Sequence, residues 1–249
     1  MLIDTHAHMD FEDYDHDRKE VLLKCKKAEV GIIISNGTNQ KSNEKTLRLA
    51  EEYFLIKPAL GLYPSEALEL TDKEIDHHLD FIRKNKDKII AIGEVGIDFF
   101  HIKEAKEQAR ECKIFSKVIS LANSINKPLI VHSRKAEGKV LDLLQEAKIP
   151  VILHFYCGNA TQIEEAVKRG YYFSIPTAVV VSKTLKKLAK RVPLDKLFTE
   201  TDAPYLCPEE GRNDSSYIKL SLAKIAEVKG VSAKELEKQI ESNFKKVFI

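Results

Sequence analysis

Short runs of aliphatic and β-branched residues recur along the chain, separated by longer stretches in which apolar residues return every three or four positions. The runs predict eight strands: Leu2–Thr5, Val30–Ser35, Ile56–Gly61, Ile89–Gly93, Leu129–His132, Val151–His154, Tyr171–Ile175 and Leu197–Glu200. Several are apolar without interruption, as expected of parallel strands covered on both faces. The helical period predicts helices over Asp17–Ala28, Lys73–Lys86, Glu104–Ile125, Ala136–Ala147, Thr161–Arg169 and Lys183–Arg191. The clearest is Glu104–Ile125, where Cys112, Phe115, Val118, Ile119 and Ala122 fall on one stripe. Gly31 and Gly170 stand where helix ends are expected. After the last strand, Tyr217–Lys229 and Ala233–Phe248 read as two helices split by Gly230.

Strands alternating with helices in this number predict an α/β fold of the (β/α)₈ barrel type. An open doubly wound sheet fits less well, because no Gly-rich phosphate turn follows the first strand. At 249 residues the chain matches the size of one such barrel, so a single domain over residues 1–249 is expected. The longest irregular stretch is expected at Leu206–Ser216.

Composition narrows the classes. Charged residues make up 31% and hydrophobic residues 43%, an ordinary globular mix. The formal net charge of +2 is too small to hold nucleic acid by bulk attraction, so an anionic substrate needs a local basic patch. The cysteines Cys25, Cys112, Cys157 and Cys207 form no C-x-x-C pair and read as reduced, buried thiols. The chain reaches Asp4 after Leu2 and Ile3, and no apolar run approaches the ~18 residues of a membrane span. A cytoplasmic protein with no leader, no membrane contact and no obligatory protein partner is expected.

Candidate chemistry lies where apolar runs end. Asp4-Thr-His6-Ala-His8, Glu94 with Asp98, His132 with Arg134, His154, and Glu200-Thr-Asp202 each follow a predicted strand. In a barrel, residues at the C-terminal strand ends converge on one mouth. Side chains two apart on a strand share a face, so Asp4, His6 and His8 project together, with Asp4 able to orient an imidazole. The bland readings are core histidines bonded to backbone and carboxylates paired with Arg or Lys. The alignment of four imidazoles and two carboxylates favours metal ligation by His6, His8, Glu94, His132, His154 and Asp202.

That ligand set suits Zn, Mn, Fe or Ni, while Mg prefers more oxygen. A bridging Glu94 would hold two divalent ions ~3.5–4 Å apart. Asp202 is placed as a proton acceptor, with Glu94 beside it in the catalytic set. Asp98 is expected behind the ligands. Arg134 is expected to grip phosphate or carboxylate at the mouth, and Arg212 with Asn213 to do so from the last loop. His16, His77, His78 and His101 read as surface groups. The run Lys183, Lys186, Lys187, Lys190 and Arg191 reads as a solvated helix face. No serine nucleophile elbow, P-loop or Rossmann fingerprint competes.

The motifs Ile3-Asp4-Thr-His6-Ala-His8, Gly93-Glu94-Val-Gly-Ile-Asp98, Val131-His132-Ser-Arg134, His154-Phe-Tyr-Cys-Gly158 and Glu200-Thr-Asp202-Ala-Pro-Tyr-Leu206 follow one another in the order found in one family. The chain resembles the TatD family of metal-dependent deoxyribonucleases along nearly its whole length. The resemblance implies one metal on His6, His8, Glu94 and Asp202 and a second on Glu94, His132 and His154. It also implies hydrolysis of phosphodiester bonds in DNA. One departure is Gly61-Leu-Tyr63-Pro64, where the family usually has Gly-x-His-Pro. Tyr63 is therefore expected to meet phosphate through a hydroxyl. Two other readings are a hydrolase of small esters, amides, lactones or phosphoesters on the same site, and a non-catalytic barrel that binds nucleic acid or protein.

Overall fold

Strands and helices alternate as the apolar pattern predicts, and the computed structural model describes residues 1–249. The strands are β1 (Leu2–Ala7), β2 (Val30–Asn36), β3 (Ile56–Leu60), β4 (Ala91–Gly96), β5 (Leu129–His132), β6 (Val151–His154), β7 (Tyr172–Ile175) and β8 (Leu197–Thr199). They pair in parallel in chain order, giving the eight-stranded sheet of a (β/α)₈ barrel. The helices are α1 (Arg18–Lys27), α2 (Gln40–Glu52), α3 (Pro64–Glu69), α4 (Asp72–Lys84), α5 (Ala105–Ile125), α6 (Glu137–Leu143), α7 (Ala160–Lys168), α8 (Lys183–Arg191), α9 (Ile218–Lys229) and α10 (Ala233–Phe248). One continuous cluster of 66 buried apolar residues fills the interior and the layer beneath the helices. No helix is long and apolar enough to cross a membrane.

The cylinder closes between its first and last strands through side chains. The Thr199 hydroxyl donates to the Ile3 carbonyl at 2.8 Å, and the Thr5 hydroxyl donates to the Thr199 carbonyl at 3.0 Å. Beyond that seam, the Asp202 amide donates to the His6 carbonyl at 2.9 Å, and the His8 amide to the Ala203 carbonyl at 2.7 Å. Asp4 locks the same corner, accepting from the Thr201 amide at 3.0 Å and the Thr201 hydroxyl at 2.6 Å. Asn213 donates to the carbonyls of Thr201 and Tyr205, holding the long loop after β8. Outside the barrel, the terminal ammonium of Met1 pairs with Glu237 at 2.5 Å and with Glu241, both on α10.

Several expectations need correction. β4 does not stop at Gly93 but runs to Gly96, with a register break between Ile92 and Val95. A glycine inside a strand often marks such a bulge, and here it re-aims Glu94. Gly31 lies inside β2; Glu29, at φ 64°, makes the turn after α1 instead. The helix after β5 is cut at Leu143, with a tighter 3₁₀ turn over Leu144–Glu146. α2 and α3 were not anticipated. His78 on α4 is buried rather than exposed, bonded to the Gly61 carbonyl at 2.9 Å and to Asn43 at 3.0 Å. Only Cys25 is fully buried among the cysteines, and Cys157 is exposed.

Gly96 permits the closest approach of β4 to β5. Its φ is +146°, and a Cβ there would lie 2.0 Å from the His132 carbonyl oxygen. Backbone would have to move, since overpacking and an unfavourable dihedral act together. Gly96→Ala is expected to destabilise the fold by about 3 kcal/mol or more. Urea denaturation checks this, and a midpoint within error of wild type would contradict the packing account.

Candidate metal centre

The break in β4 turns the Glu94 side chain into the mouth, where it is 4% exposed. Its two oxygens face different imidazoles. Oε2 lies 3.6 Å from His6 Nε2 and 3.4 Å from His8 Nε2, whereas Oε1 lies 2.9 Å from His132 Nδ1 and 3.9 Å from His154 Nε2. Asp202 Oδ1 completes the first group at 3.6 Å from His6 and 3.7 Å from His8, and also stands 3.9 Å from His154. All six side chains expected as ligands therefore meet in one place. Three overlapping triads have their ligand atoms within 4.8 Å of one another: His6, His8 and Glu94; His6, His154 and Asp202; Glu94, His132 and His154.

These spacings fit a small divalent cation. Tetrahedral ligands at 2.0–2.1 Å from an ion are about 3.3–3.4 Å apart. The His6–His8 nitrogen pair is 3.3 Å apart and the other contacts of that group run to 3.7 Å. The tautomers are set from behind. His8 Nδ1 contacts the Asn36 carbonyl at 2.8 Å, so Nδ1 keeps its proton and Nε2 is the nitrogen turned to Glu94. His154 Nδ1 contacts Glu200 Oε2 at 2.9 Å, leaving Nε2 inward. His132 presents Nδ1 to Glu94 and turns Nε2 to Asp98 Oδ2 at 3.1 Å. Glu200 is itself anchored by the Phe155 amide at 3.1 Å and the Ser174 hydroxyl. Its role was not visible in the sequence, where it reads only as the polar end of the predicted strand Leu197–Glu200. The backbone is forced at two points beside the ligands: Phe155 and Asp202 sit at φ 42° and 58°, a region costly to residues other than glycine.

The electrostatics match. Burial opposes charge on Glu94, yet the His6 and His132 imidazoles outweigh it and hold the carboxyl well below the usual range. Asp202 is likewise held low against burial, by the neighbouring His154 and His8 imidazoles. Burial disfavours imidazolium, but the carboxylates override it: Asp202 and Glu94 push His8 up to about 9, and Asp98 and Glu94 push His132 up to about 9. Glu200 and Asp202 push His154 up to about 8 in the same way. Burial and the neighbouring His154 lower His6 instead. Protons on these rings and a divalent cation thus compete for the same carboxylate oxygens.

A cavity of about 790 Å³ opens over this cluster. Phe11 and Tyr205 form one lip, with ring centres 6.1 Å apart. Arg134 stands on the other lip, its guanidinium 3.9 Å above the Phe100 ring. Tyr63 lines the cavity, but its hydroxyl proton is given to Asp98 at 3.0 Å. Arg212 is not in this cavity, contrary to expectation. Its guanidinium bonds the Asp13 carbonyl, pairs with Asp17 at 2.5 Å and packs on the Tyr14 ring. Asn213, spent on backbone carbonyls, has no free group to offer a substrate. His101, read as a surface group, lines the cavity.

Two outcomes follow from these contacts. Glu200→Gln cannot accept from His154, Phe155 and Ser174 together, and is expected to weaken divalent-ion affinity 10–100-fold, as loss of such orienting partners does. Competition with a chromogenic chelator measures it, and unchanged affinity would remove Glu200 from the site. Because the folded-state values of His8, His132 and His154 lie above 6.5, their rings carry protons at pH 7 that an ion must displace. Binding at pH 7 should release protons, and affinity should rise towards pH 9. By the same sign, the ion-free fold loses stability as pH rises through about 8 to 9. Calorimetry in buffers of different ionisation enthalpy tests the release, and a buffer-independent heat would contradict it.

Known proteins are similar to this chain in sequence and in fold. The family model for TatD related DNase matches residues 3–249. Deoxyribonuclease TATDN3 of Homo sapiens is 37% identical over 260 aligned positions, covering 99% of this chain and 94% of the human protein. The uncharacterized metal-dependent hydrolase YabD of Bacillus subtilis is 33% identical, covering 100% of this chain and 99% of its own. The crystal structure of YJJV, a TatD homolog from Escherichia coli K12, superimposes with a TM-score of 0.90 at 27% identity over 99% of this chain and 97% of that one. Matching at full length in family model, sequence and solved fold, the chain belongs to the TatD-related DNase family.

Proposed function

We propose that the protein is a divalent-metal-dependent phosphodiesterase acting on nucleic acid, with DNA the substrate to test first. The reading rests on Glu94, a buried carboxylate with two imidazoles on each oxygen. His6, His8, Glu94 and Asp202 would hold one ion, and Glu94, His132 and His154 a second. Such a donor set suits Zn, Mn, Fe or Ni best. Bound ions supply Lewis acidity and activate water near neutral pH. DNA enters the reading from the human relative, which is named a deoxyribonuclease.

The chain's own residues supply the rest. Asp202, held as a carboxylate beside His8 and His154, accepts the proton of the attacking water. Arg134, supported on the Phe100 ring, offers a planar pair of donors to a phosphate. Phe11 and Tyr205 give bases or sugars an apolar surface at the opposite lip. Glu200, Asn36 and Asp98 keep three imidazoles aimed while charge develops.

Purified protein stripped by chelator and reloaded with Mn²⁺, Zn²⁺ or Mg²⁺ is expected to degrade DNA, with products sized on denaturing gels. His132→Ala combined with His154→Ala should lower bound metal by one equivalent and the rate by about 10³-fold, since an ion is worth several kcal/mol in the transition state. DNA cleavage that survives in the double variant would sink the two-ion reading. Turnover of lactones or small esters with DNA untouched would move the chain to the small-substrate alternative.

A further inference from the structure

Asp98 closes the turn after β4. Its Oδ1 accepts the amides of Phe100 at 2.9 Å and His101 at 3.0 Å. Its Oδ2 receives three side chains: Tyr63 Oη at 3.0 Å, His132 Nε2 at 3.1 Å and His101 Nδ1 at 2.7 Å. Burial works towards protonating Asp98, but the His132 and His101 rings hold it well below the usual carboxylate range. The His101 ring is thus fixed twice, through its own amide and through Nδ1. Its remaining nitrogen, Nε2, is the one left for an outside partner. The side chain is 52% exposed and lines the same cavity as Glu94 and Asp202.

Most other proton carriers of the cavity are committed elsewhere, and burial pushes the exposed Tyr205 hydroxyl up. His8, His132 and His154 belong to the ligand cluster. Tyr63 gives its proton to Asp98, and burial pushes its hydroxyl far up. Burial pushes the Cys157 thiol up as well. Arg134 does not release a proton in proteins. A phosphodiester whose leaving group is an alkoxide needs a proton on that oxygen as the bond breaks, and a positioned imidazole is the commonest source.

We infer that His101 is the general acid of this hydrolase, giving the Nε2 proton to the leaving oxygen; the inference rests on the phosphodiesterase reading above. In the step, water oxygen forms the new P–O bond and its proton passes to the Asp202 carboxylate. The P–O bond to the leaving group breaks, its electron pair stays on the departing oxygen, and that oxygen takes the proton from His101 Nε2. Products are an alcohol and a phosphate monoester. Asp202 then returns its proton to solvent, and the exposed imidazole of His101 takes one up. Asp98 is a positioning residue here, since it acts through both His101 and His132.

The test compares two esters in the metal-loaded enzyme: a DNA oligonucleotide, whose leaving group is an alkoxide, and thymidine 5′-(p-nitrophenyl phosphate), whose leaving group needs no proton. For His101→Ala and His101→Gln, kcat on DNA is expected to fall about 10²-fold or more, as for loss of a general acid. The fall on the nitrophenyl ester should be at least tenfold smaller. Metal content and circular dichroism establish that both variants are loaded and folded. A second readout is independent of turnover. In the zinc-loaded protein, the ¹⁵N resonance of His101 Nε2, identified by its loss in His101→Gln, should shift on titration with thymidine 5′-monophosphate. Equal losses on the two esters, no loss on either, or an unmoved Nε2 signal would each overturn the proposal. A wild-type enzyme inert towards both esters would overturn the phosphodiesterase reading and this step with it.

Discussion

The carboxylate of Glu94 sets the terms for the whole mouth. Removing an anion from water costs several kcal/mol unless positive partners surround it. Here the partners are imidazoles, two on each oxygen, delivered by β1, β5 and β6. An imidazole on such duty needs its far nitrogen held, and Asn36, Asp98 and Glu200 hold three of the four. Those partners are buried too, so each needs its own donors: Glu200 finds Phe155 and Ser174, and Asp98 finds Tyr63 and His101. The site is one dehydrated charge and the successive layers of polar groups that its burial demands.

Much of this was legible from residue order alone. β5, β6, α8 and α10 fall where the apolar pattern places them, because each buries a mainly apolar face. α2 escaped notice for the opposite reason. Its buried side chains include Ser42, Asn43 and Thr46, so the inward stripe is polar through its first turns and only Leu47, Leu49 and Ala50 near its end are apolar. Asn43 on that stripe bonds Gly61 and His78, a contact between separate elements that no local pattern encodes. α3, at six residues, is too short to establish a period. The ligands were legible because strand ends in a barrel share one rim, whereas Glu200 was not, because its work depends on the His154 imidazole brought against it by a separate strand.

Arg134 and Arg212 show where sequence reading runs out. Both follow strands, both lie in loops, and both carry the same fork of donors. Arg134 has an aromatic ring beneath it and no carboxylate partner, so its fork faces the cavity. Arg212 is captured by Asp17 and the Asp13 carbonyl on the far side of the Phe11 loop. The difference lies in a tertiary neighbour, not in either residue's own surroundings along the chain. His101 is the reverse case: an ordinary polar loop position becomes part of the cavity because Asp98 fixes its ring.

The seam between β1 and β8 carries a further consequence for biosynthesis. Asp4 and Thr201 meet across 197 positions, and Asp202 joins His6 and His8 only when the last strand docks. During translation the amino-terminal imidazoles leave the ribosome long before Asp202 exists. A nascent chain therefore holds at most part of the chelate, and the group that includes Asp202 is complete only near the end of synthesis. Such distant pairing also slows folding, because loop entropy is lost before the contacts reward it. The reactive centre is whole only once the end of the barrel has docked on its beginning.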